Sequence, residues 1–348
     1  HGQAGVNRPL ISALAAAGLL RRLFPDDGHV RALDLCVMRQ GLARASTEAE
    51  TALAMQGLGA YPLVLSGTED LRRHYLPGVA DGSLVPAFAL TEPDAGSDAA
   101  HLGLIAELDG DGFRLSGQKS YISNAPEADF YTVFARTGPD QGSRGISAFV
   151  VPGDAPGLSG KTTPMLGGHA LGSLSFDGVP VERDHLIGSV GEGFAVAMKT
   201  LDLFRPSVGA FAVGMAETAL AISVEHARQR QAFGQPIATF QAVSHLLAEM
   251  AVKIDAARLL VYRAAAAHDE GLSDELVGMA ATAKLVATEA AQFVVDSAIQ
   301  IHGARGLEAG HVLAHLYQVV RAPRIYEGTS EIQRNIISRE LMAGRWTR

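Results

Sequence analysis

The segment Tyr326-Glu327-Gly328-Thr329 places a carboxylate between an aromatic residue and a glycine, close to the C-terminal end of the chain. A glycine beside a carboxylate permits a tight backbone turn. Such a turn can present the carboxylate to a buried substrate while neighbouring N–H groups point at the ligand, as a general base requires. Glu327 is therefore the first candidate for a catalytic residue.

A plainer interpretation of the same segment is a solvated glutamate on the surface, just before a helix whose N-cap is Thr329 or Ser330. For an isolated Glu-Gly-Thr-Ser sequence, that interpretation would be preferred. Three other segments of unusual composition favour the catalytic interpretation, because each one suits part of a ligand that carries phosphate groups and a planar ring.

Two of these segments lie in the first half of the chain. Residues 90–98 read L-T-E-P-D-A-G-S-D, a turn of small residues whose N–H groups and Ser97 hydroxyl suit a phosphate. An ordinary β-turn explains that segment equally well. Residues 117–125 read G-Q-K-S-Y-I-S-N-A, where Tyr121 and Ser123 lie two apart and so share one face of an extended segment. They could stack on and hydrogen-bond a planar ring, although a plain strand end has the same pattern.

The third segment, residues 230–237, reads R-Q-A-F-G-Q-P-I and is followed by Phe240-Gln241. An arginine at a helix end suits a phosphate, and the Phe-Gly turn interrupts two helices. By itself, this pattern is also that of an ordinary connection between helices.

The elements that must position these segments divide the chain into three parts. Ala-rich and Leu-rich periodic pieces predict an N-terminal helical domain over residues 1–86. Short apolar runs between Gly, Asp and Pro clusters predict a middle antiparallel β-domain over 87–190, with a hairpin turn at residues 109–112. A helical period returns over 191–348 and predicts a C-terminal four-helix bundle. The expected fold class is thus α+β, and mostly α.

Composition narrows the possible partners. The 348 residues carry a net charge of −8 and no basic run, so nucleic acid and an anionic membrane are poor candidates. A single cysteine, Cys36, excludes an internal disulfide framework. We expect no membrane span and no signal peptide.

His311 and His315 have metal-compatible spacing but no third ligand is evident, so we predict no metal site.

In their order and spacing, these segments closely resemble the acyl-CoA dehydrogenase family. The motifs of that family are T-E-P-x-A-G-S-D, G-x-K-x-x-I-(T/S)-N, R-x-x-F-G-x-x-(I/L) with a following Gln, Q-I-x-G-(G/A)-x-G and Y-E-G-T-S-(E/Q)-I-Q-R, and all five are present. The resemblance covers nearly the whole chain and implies the same helical, β, helical architecture. Because the family usually begins further upstream, we expect residues to be missing before His1.

The resemblance also assigns roles to individual residues. It implies that Glu327 removes the α-proton of a thioester, and that Arg205 and Ser97 contact the substrate. It further implies a set of residues that bind FAD, some of them from a neighbouring subunit: Thr91, Gly96, Ser97, Tyr121, Ser123, Arg230, Phe233, Gln241, Gln300, Gly303, Gly306, Thr329 and Glu331. Some relatives place the base on the residue before the Arg that corresponds to Arg205. That residue is Phe204 here, so Glu327 is the only candidate for the role.

The activity that the resemblance implies is FAD-dependent α,β-dehydrogenation of an acyl-CoA to the trans-2-enoyl-CoA, within fatty acid metabolism. It also implies a homotetramer and electron-transferring flavoprotein as the electron acceptor. The expected location is the bacterial cytoplasm, or the mitochondrial matrix if a transit peptide has been removed. The alternative is a family relative that keeps FAD but does other work. The candidates are an acyl-CoA oxidase, a monooxygenase, a dehydrogenase of acyl-carrier-protein thioesters and a non-catalytic protein of the damage-response type.

We predict one tightly and non-covalently bound FAD per subunit, because Thr91 and Ser97, Tyr121 and Ser123, and Arg230 and Gln241 all match FAD-binding positions. The measurement is the visible absorbance of the purified protein, with FAD quantified after denaturation. A colourless protein that takes up no FAD on reconstitution would contradict the prediction.

Overall fold

The computed structural model of the chain describes residues 5–25, 28–138 and 142–345. The chain is grouped into two compact units. The first, called the β-unit here, comprises His1–Val30 and Thr51–Leu201, and the second, the helical unit, comprises Arg31–Glu50 and Asp202–Arg348.

Four α-helices lie in the described residues before the first strand. They are α1 (Arg8–Ala16), α2 (Ala32–Ala45), α3 (Thr47–Ser66) and α4 (Glu69–Ala80). The Thr68 hydroxyl accepts a hydrogen bond from the N–H of Leu71 at 3.2 Å and so caps α4. Leu71, Tyr75 and Val79 follow at intervals of four and form the buried face of that helix.

The β-unit contains an eight-stranded sheet. The strands are β1 (Pro86–Ala89), β2 (Ile105–Asp109), β3 (Gly112–Ser123), β4 (Phe130–Arg136), β5 (Ile146–Pro152), β6 (Leu158–Thr162), β7 (Leu171–Val181) and β8 (Leu186–Ile187). Their order is β6-β7-β3-β2-β4-β5-β8, with β1 also paired to β4. The sheet is mostly antiparallel, as predicted, but β4 pairs in parallel with both β1 and β2. The predicted hairpin turn is confirmed, because Asp109 is paired with Gly112 across the ends of β2 and β3.

Strand β4 is an inner strand of the sheet, and both of its faces are buried. Tyr131 and Val133 point into one apolar cluster, with residues of β3 and β7, while Phe130 and Phe134 point into another. This second cluster includes Leu63 of α3 and Leu71 of α4, so these helices cover that face. Burial on both faces explains why the sequence of β4 from Phe130 to Ala135 is apolar except at Thr132, instead of alternating between apolar and polar residues.

The helical unit contains α2 and the C-terminal helices. These are α5 (Gly193–Gln229, of which the part from Asp202 onward belongs to this unit), α6 (Gln241–Asp269), α7 (Ser273–His302), α8 (Val312–Val319) and α9 (Ser330–Met342). Apolar residues that recur at intervals of three and four along α6 are buried at Met250, Ile254 and Val261 but only half-buried near the start of the helix, at Val243. The predicted fold class, with helical, β and helical parts in that order, is confirmed.

Helix α5 corrects one expectation of the sequence analysis. We expected no stretch with the length and apolar character of a membrane span, but among the described residues α5 meets both criteria. Its most apolar window is 67% buried within the protein, which is typical of a helix in a protein core.

Close packing between α5 and α2 generates a stability prediction. A Cβ added at Gly214 of α5 would lie 2.5 Å from the carbonyl oxygen of Gln40 and 2.7 Å from the Cβ of Ala43. We therefore expect Gly214→Ala to lower the free energy of unfolding by about 1–3 kcal/mol, since the backbones must separate. The matched control is Gly41→Ala on α2, where an added Cβ meets nothing within 4 Å. That change should stabilise the helix by about 0.5–1 kcal/mol. Chemical denaturation measures both, and equal effects of the two changes would contradict the packing argument.

Candidate active site

Glu327 lies in a strained turn between a short 3₁₀ segment, Ala322–Arg324, and helix α9. Glu327 has a φ of 54° and Gly328 a φ of 91°. A left-handed conformation is easy for glycine but uncommon for glutamate, and such strain persists only where the surroundings enforce it. The Thr329 hydroxyl then caps α9 by accepting a hydrogen bond from the N–H of Ile332 at 3.3 Å.

Three buried side chains hold the carbonyl groups of this turn. Arg205 donates from Nε to the Glu327 carbonyl at 3.3 Å, and Lys284 donates from Nζ to the Gly328 carbonyl at 2.6 Å. The side-chain amide of Gln333 donates to both carbonyls, at 3.1 and 2.9 Å. These contacts fix the backbone of the turn and leave the Glu327 carboxyl group available.

The Glu327 carboxyl combines burial with an oxygen atom that has no hydrogen-bond partner among the described residues. The unpartnered atom is Oε2. Desolvation raises the pKa of Glu327, while the positive charges of Arg39, Lys284 and Arg205 act to lower it. A buried carboxylate with an unpartnered oxygen can accept a proton from a bound substrate, and its raised pKa makes it a stronger base than a solvated glutamate.

Helix α7 supplies a second layer of support that sequence reasoning missed. Its Glu289 pairs with Arg324 at 3.0 Å and accepts a hydrogen bond from the Ser330 hydroxyl at 2.8 Å, on either side of the Glu327 turn. Lys284 is fully buried, and burial lowers its pKa to about 8. The only signal in the sequence was the presence of charged residues within an Ala-rich helix.

Arg205 is buried in α5, one residue before Pro206. Its Nη1 pairs with Asp202 at 3.2 Å, in addition to the contact of Nε with the Glu327 carbonyl. Arg205 therefore lies beside Glu327, and the contact is made through the Glu327 backbone.

In the β-unit, the segments around Thr91 and Tyr121 lie side by side. The N–H of Ser120 donates to the Thr91 carbonyl at 2.9 Å. Lys119 and Glu92 form a buried ion pair at 2.8 Å, and Lys119 also donates to the Leu90 carbonyl at 2.9 Å. Burial lowers the pKa of Lys119 to about 8. These charged motif residues therefore join the two segments.

These two segments form a surface that is exposed to solvent. Gly96 and Ser97 are exposed, and a Cβ added at Gly96 would meet nothing within 4 Å. Tyr121 has a φ of 56° and a side chain that is 58% exposed. Ser123 is hydrogen-bonded through its hydroxyl to Nε2 of His169 at 2.7 Å, a partner that sequence reasoning missed.

In the helical unit, a tight hairpin presents an aromatic side chain to solvent. Strands β9 (Gln231–Ala232) and β10 (Gln235–Pro236) are joined by Phe233-Gly234, with φ values of 52° and 81°. Phe233 is 94% exposed. A large apolar side chain held in a strained turn and left in water indicates a surface that binds something.

No network of contacts among the described residues joins the remaining candidate residues of the helical unit into one cluster. Arg230, Gln241, Gln300, Gly303 and Glu331 are exposed, and Gly306 is buried. Thr329 is half-buried and its hydroxyl caps α9. His302, the last residue of α7, stacks on His226 with ring centres 4.2 Å apart. Among the described residues, no group of His, Cys, Asp and Glu is placed to hold a metal ion, and His315 instead contacts the Thr47 hydroxyl at 2.7 Å.

Three family models match the chain in succession. They are the N-terminal, middle and C-terminal domains of acyl-CoA dehydrogenases, over residues 2–83, 87–179 and 191–342. The chain belongs to the acyl-CoA dehydrogenase family. Its resemblance to that family, inferred from the five motifs, is confirmed.

Three individual relatives are between 30% and 38% identical to this chain in sequence. A probable acyl-CoA dehydrogenase of Mycobacterium leprae is 38% identical over 95% of this chain and 87% of its own length. A chain in a structure of the electron transferring flavoprotein of Acidaminococcus fermentans is 37% identical, with a TM-score of 0.92, over 97% of this chain and 90% of its own. A chain in the FAD complex of PigA is 30% identical, with a TM-score of 0.93, over 98% and 91%.

His169 generates a prediction about pH. Burial lowers the pKa of His169 from 6.5 to about 4. Between these values the unfolded chain binds more protons than the folded chain, so the free energy of unfolding falls as the pH drops through that range. We expect His169→Gln to reduce the loss of melting temperature between pH 7 and about pH 4.5. Ser123→Ala is the control, because it removes the hydrogen-bond partner but no titrating group. An unchanged pH dependence in His169→Gln would contradict the prediction.

Proposed function

We propose that this protein dehydrogenates an acyl-CoA between Cα and Cβ to give the trans-2-enoyl-CoA, with FAD as cofactor and Glu327 as the base. Family membership makes the chain an oxidoreductase that acts on acyl-CoA. The observation that carries the proposal is the buried, unpartnered Oε2 of Glu327, surrounded by the charges of Arg39, Lys284 and Arg205.

The proton step follows from the chemistry of this turn. An α-C–H bond of a thioester is too weakly acidic for a solvated carboxylate. A bound acyl chain would displace water from Glu327 and raise its pKa further, so that the α-proton passes to Oε2. The contacts from Arg205, Lys284 and Gln333 to the turn hold its backbone still while this proton moves.

The residues present fit FAD. Tyr121 offers an exposed aromatic face, and Gly96 and Ser97 form an open turn beside it whose N–H groups suit a pyrophosphate. When bound, FAD supplies the acceptor for the hydride that leaves the β-carbon. Thr91, Gly96, Ser97, Tyr121 and Ser123 would hold it from the β-unit. The residues of the helical unit with this role would be Arg230, Phe233, Gln241, Gln300, Gly303, Gly306, Thr329 and Glu331.

The proposed assembly is a homotetramer in which the hairpin around Phe233 completes the FAD site of a neighbouring subunit. The 94% exposure of Phe233 supports this, because the residues that the structure describes in its own subunit leave the ring almost unburied. Light scattering measures the assembly, and a monodisperse monomer that retains FAD would overturn the shared site.

We expect Glu327→Gln to keep the fold and the flavin but to lose on the order of 10²–10⁴-fold in the rate of flavin reduction by acyl-CoA. The amide is nearly isosteric with the carboxyl and cannot accept the proton. In the wild type, the rate should rise with pH through the raised pKa of Glu327, since only the carboxylate is a base. Anaerobic stopped-flow absorbance across a panel of acyl-CoAs is the measurement. The control is Glu308→Gln at an exposed position, which should react at the wild-type rate. A wild-type rate in Glu327→Gln would show that the base is another residue.

The proposed electron acceptor is electron-transferring flavoprotein, a choice that the similarity to the Acidaminococcus fermentans structure supports. We expect slow turnover in air without an added acceptor, because a product that stays bound excludes oxygen and water from the site. Oxygen consumption and hydrogen peroxide are the quantities to measure. Stoichiometric peroxide, formed as fast as electron-transferring flavoprotein is reduced, would identify an acyl-CoA oxidase instead.

A further inference from the structure

An ion pair outside all five motifs is buried in the helical unit. Arg39 of α2 is 2% exposed and Glu50, in the first turn of α3, is 1% exposed. The Nε atom of Arg39 donates a hydrogen bond to Oε1 of Glu50. Neither residue belongs to a segment that the sequence analysis selected as a candidate catalytic or binding site.

Such a pair needs a reason beyond stability. Removing two charges from water costs several kcal/mol per ion, and the attraction between them often only offsets that cost. Apolar residues of similar volume would serve a purely structural role as well. Any role of the pair beyond stability must therefore follow from its contacts with neighbouring residues.

These contacts lead to the base. The Nη1 atom of Arg39 donates to the Ser207 hydroxyl at 2.6 Å, and that hydroxyl donates to the Phe204 carbonyl at 2.7 Å. Phe204 precedes Arg205, whose Nε atom donates to the Glu327 carbonyl at 3.3 Å. Pro206 lies within this turn of α5 and has no N–H to give to the helix, so side-chain contacts are needed to define the turn.

The pair also acts on Glu327 through its charge. The cations whose charges act on Glu327 are Arg39 from α2, Lys284 from α7 and Arg205 from α5, and among them Arg39 lowers the Glu327 pKa most. Glu50 faces the neighbouring Tyr326 and acts to raise the pKa of its phenol. The positive and negative members of the pair thus both act electrostatically on the Tyr326-Glu327 segment.

We propose that Arg39 and Glu50 are positioning residues for the dehydrogenation, which hold the Arg205 turn of α5 against Glu327 and balance the charge that the Glu327 carboxyl experiences. The inference rests on the proposed function only in taking Glu327 as the base. Arg39 supplies the positive charge beside the carboxyl, and Glu50 limits how strongly that charge acts.

The test titrates Glu327 directly, in the holoenzyme without substrate. Protein labelled with ¹³C-glutamate is followed by infrared difference spectroscopy against pH, and the spectrum of Glu327→Gln identifies the band of this carboxyl. We expect Arg39→Gln to raise the pKa of Glu327 by about one pH unit or more, and Glu50→Gln to lower it, because Arg39 then lacks its counter-charge. Arg39→Lys should restore the value toward that of the wild type.

The matched control is Glu217→Gln, which removes the carboxylate of another Arg-carboxylate pair of the helical unit, Arg258–Glu217 at 2.6 Å. It should leave the Glu327 titration unchanged. Shifts of opposite sign in Arg39→Gln and Glu50→Gln support the inference, since a general loosening of the fold would move both in one direction. Shifts of the same sign, no shift, or an equal shift in the control overturn it. Should Arg39→Gln fail to fold, Glu50→Gln decides alone, and anything but a lowered pKa overturns the inference.

Acyl-CoA kinetics on the same variants separate this inference from the proposed function. With the charge balance altered, the acidic limb of the pH–rate profile should move in the same direction as the infrared titration. If the infrared shifts occur but no acyl-CoA is dehydrogenated by the wild type, the proposed function fails and the electrostatic role stands. If acyl-CoA is dehydrogenated but the titration does not move, the role of the pair fails alone.

Discussion

The desolvation of one carboxyl group is the constraint that organises the helical unit. Glu327 has a buried oxygen without a hydrogen-bond partner, and burial raises its pKa. Arg39, Lys284 and Arg205 offset this cost from three different helices. Each cation is itself buried and needs compensation, which comes from Glu50, the Gly328 carbonyl and Asp202 respectively. The result is a desolvated carboxyl group that, among the described residues, is not neutralised by a direct ion pair, as the proposed role of a base requires.

Backbone strain occurs in the segments that the sequence analysis selected as candidate binding or catalytic sites. Among the described residues, four that are not glycine have a positive φ: Tyr121, Asn124, Phe233 and Glu327. All four lie within segments that the sequence analysis had chosen for their residue types. Each such conformation costs on the order of 1–3 kcal/mol and persists only if surrounding contacts enforce it. The contacts around Glu327 show how, since its carbonyl and that of Gly328 accept hydrogen bonds from three side chains.

In the β-unit, a buried ion pair has a structural role. Glu92 is a motif residue whose carboxylate accepts hydrogen bonds from the N–H groups of Gly103 and Leu104 and pairs with Lys119. These contacts occupy both of its oxygens and join the segments that would hold FAD. A motif carboxylate can therefore serve the architecture, while the neighbouring Ser97 and Tyr121 remain exposed for a ligand.

By itself, the sequence determined the class and order of the elements, the family and the candidate base. Periodicity reports which face of a helix or strand is buried, and the five motifs combine rare residue types at fixed spacing, so both are local properties of the chain. The division at residues 86 and 190 stays a prediction, as do the individual FAD and substrate contacts. Tertiary structure alone decided the surroundings of Glu327, the proposed base. Arg39 and Lys284 are 288 and 43 residues before Glu327 in the sequence, and no local pattern tells a buried cation that faces a carboxyl from a solvated one on a helix surface. Burial and charge are set by what packs around a side chain, and that is fixed only when distant segments meet.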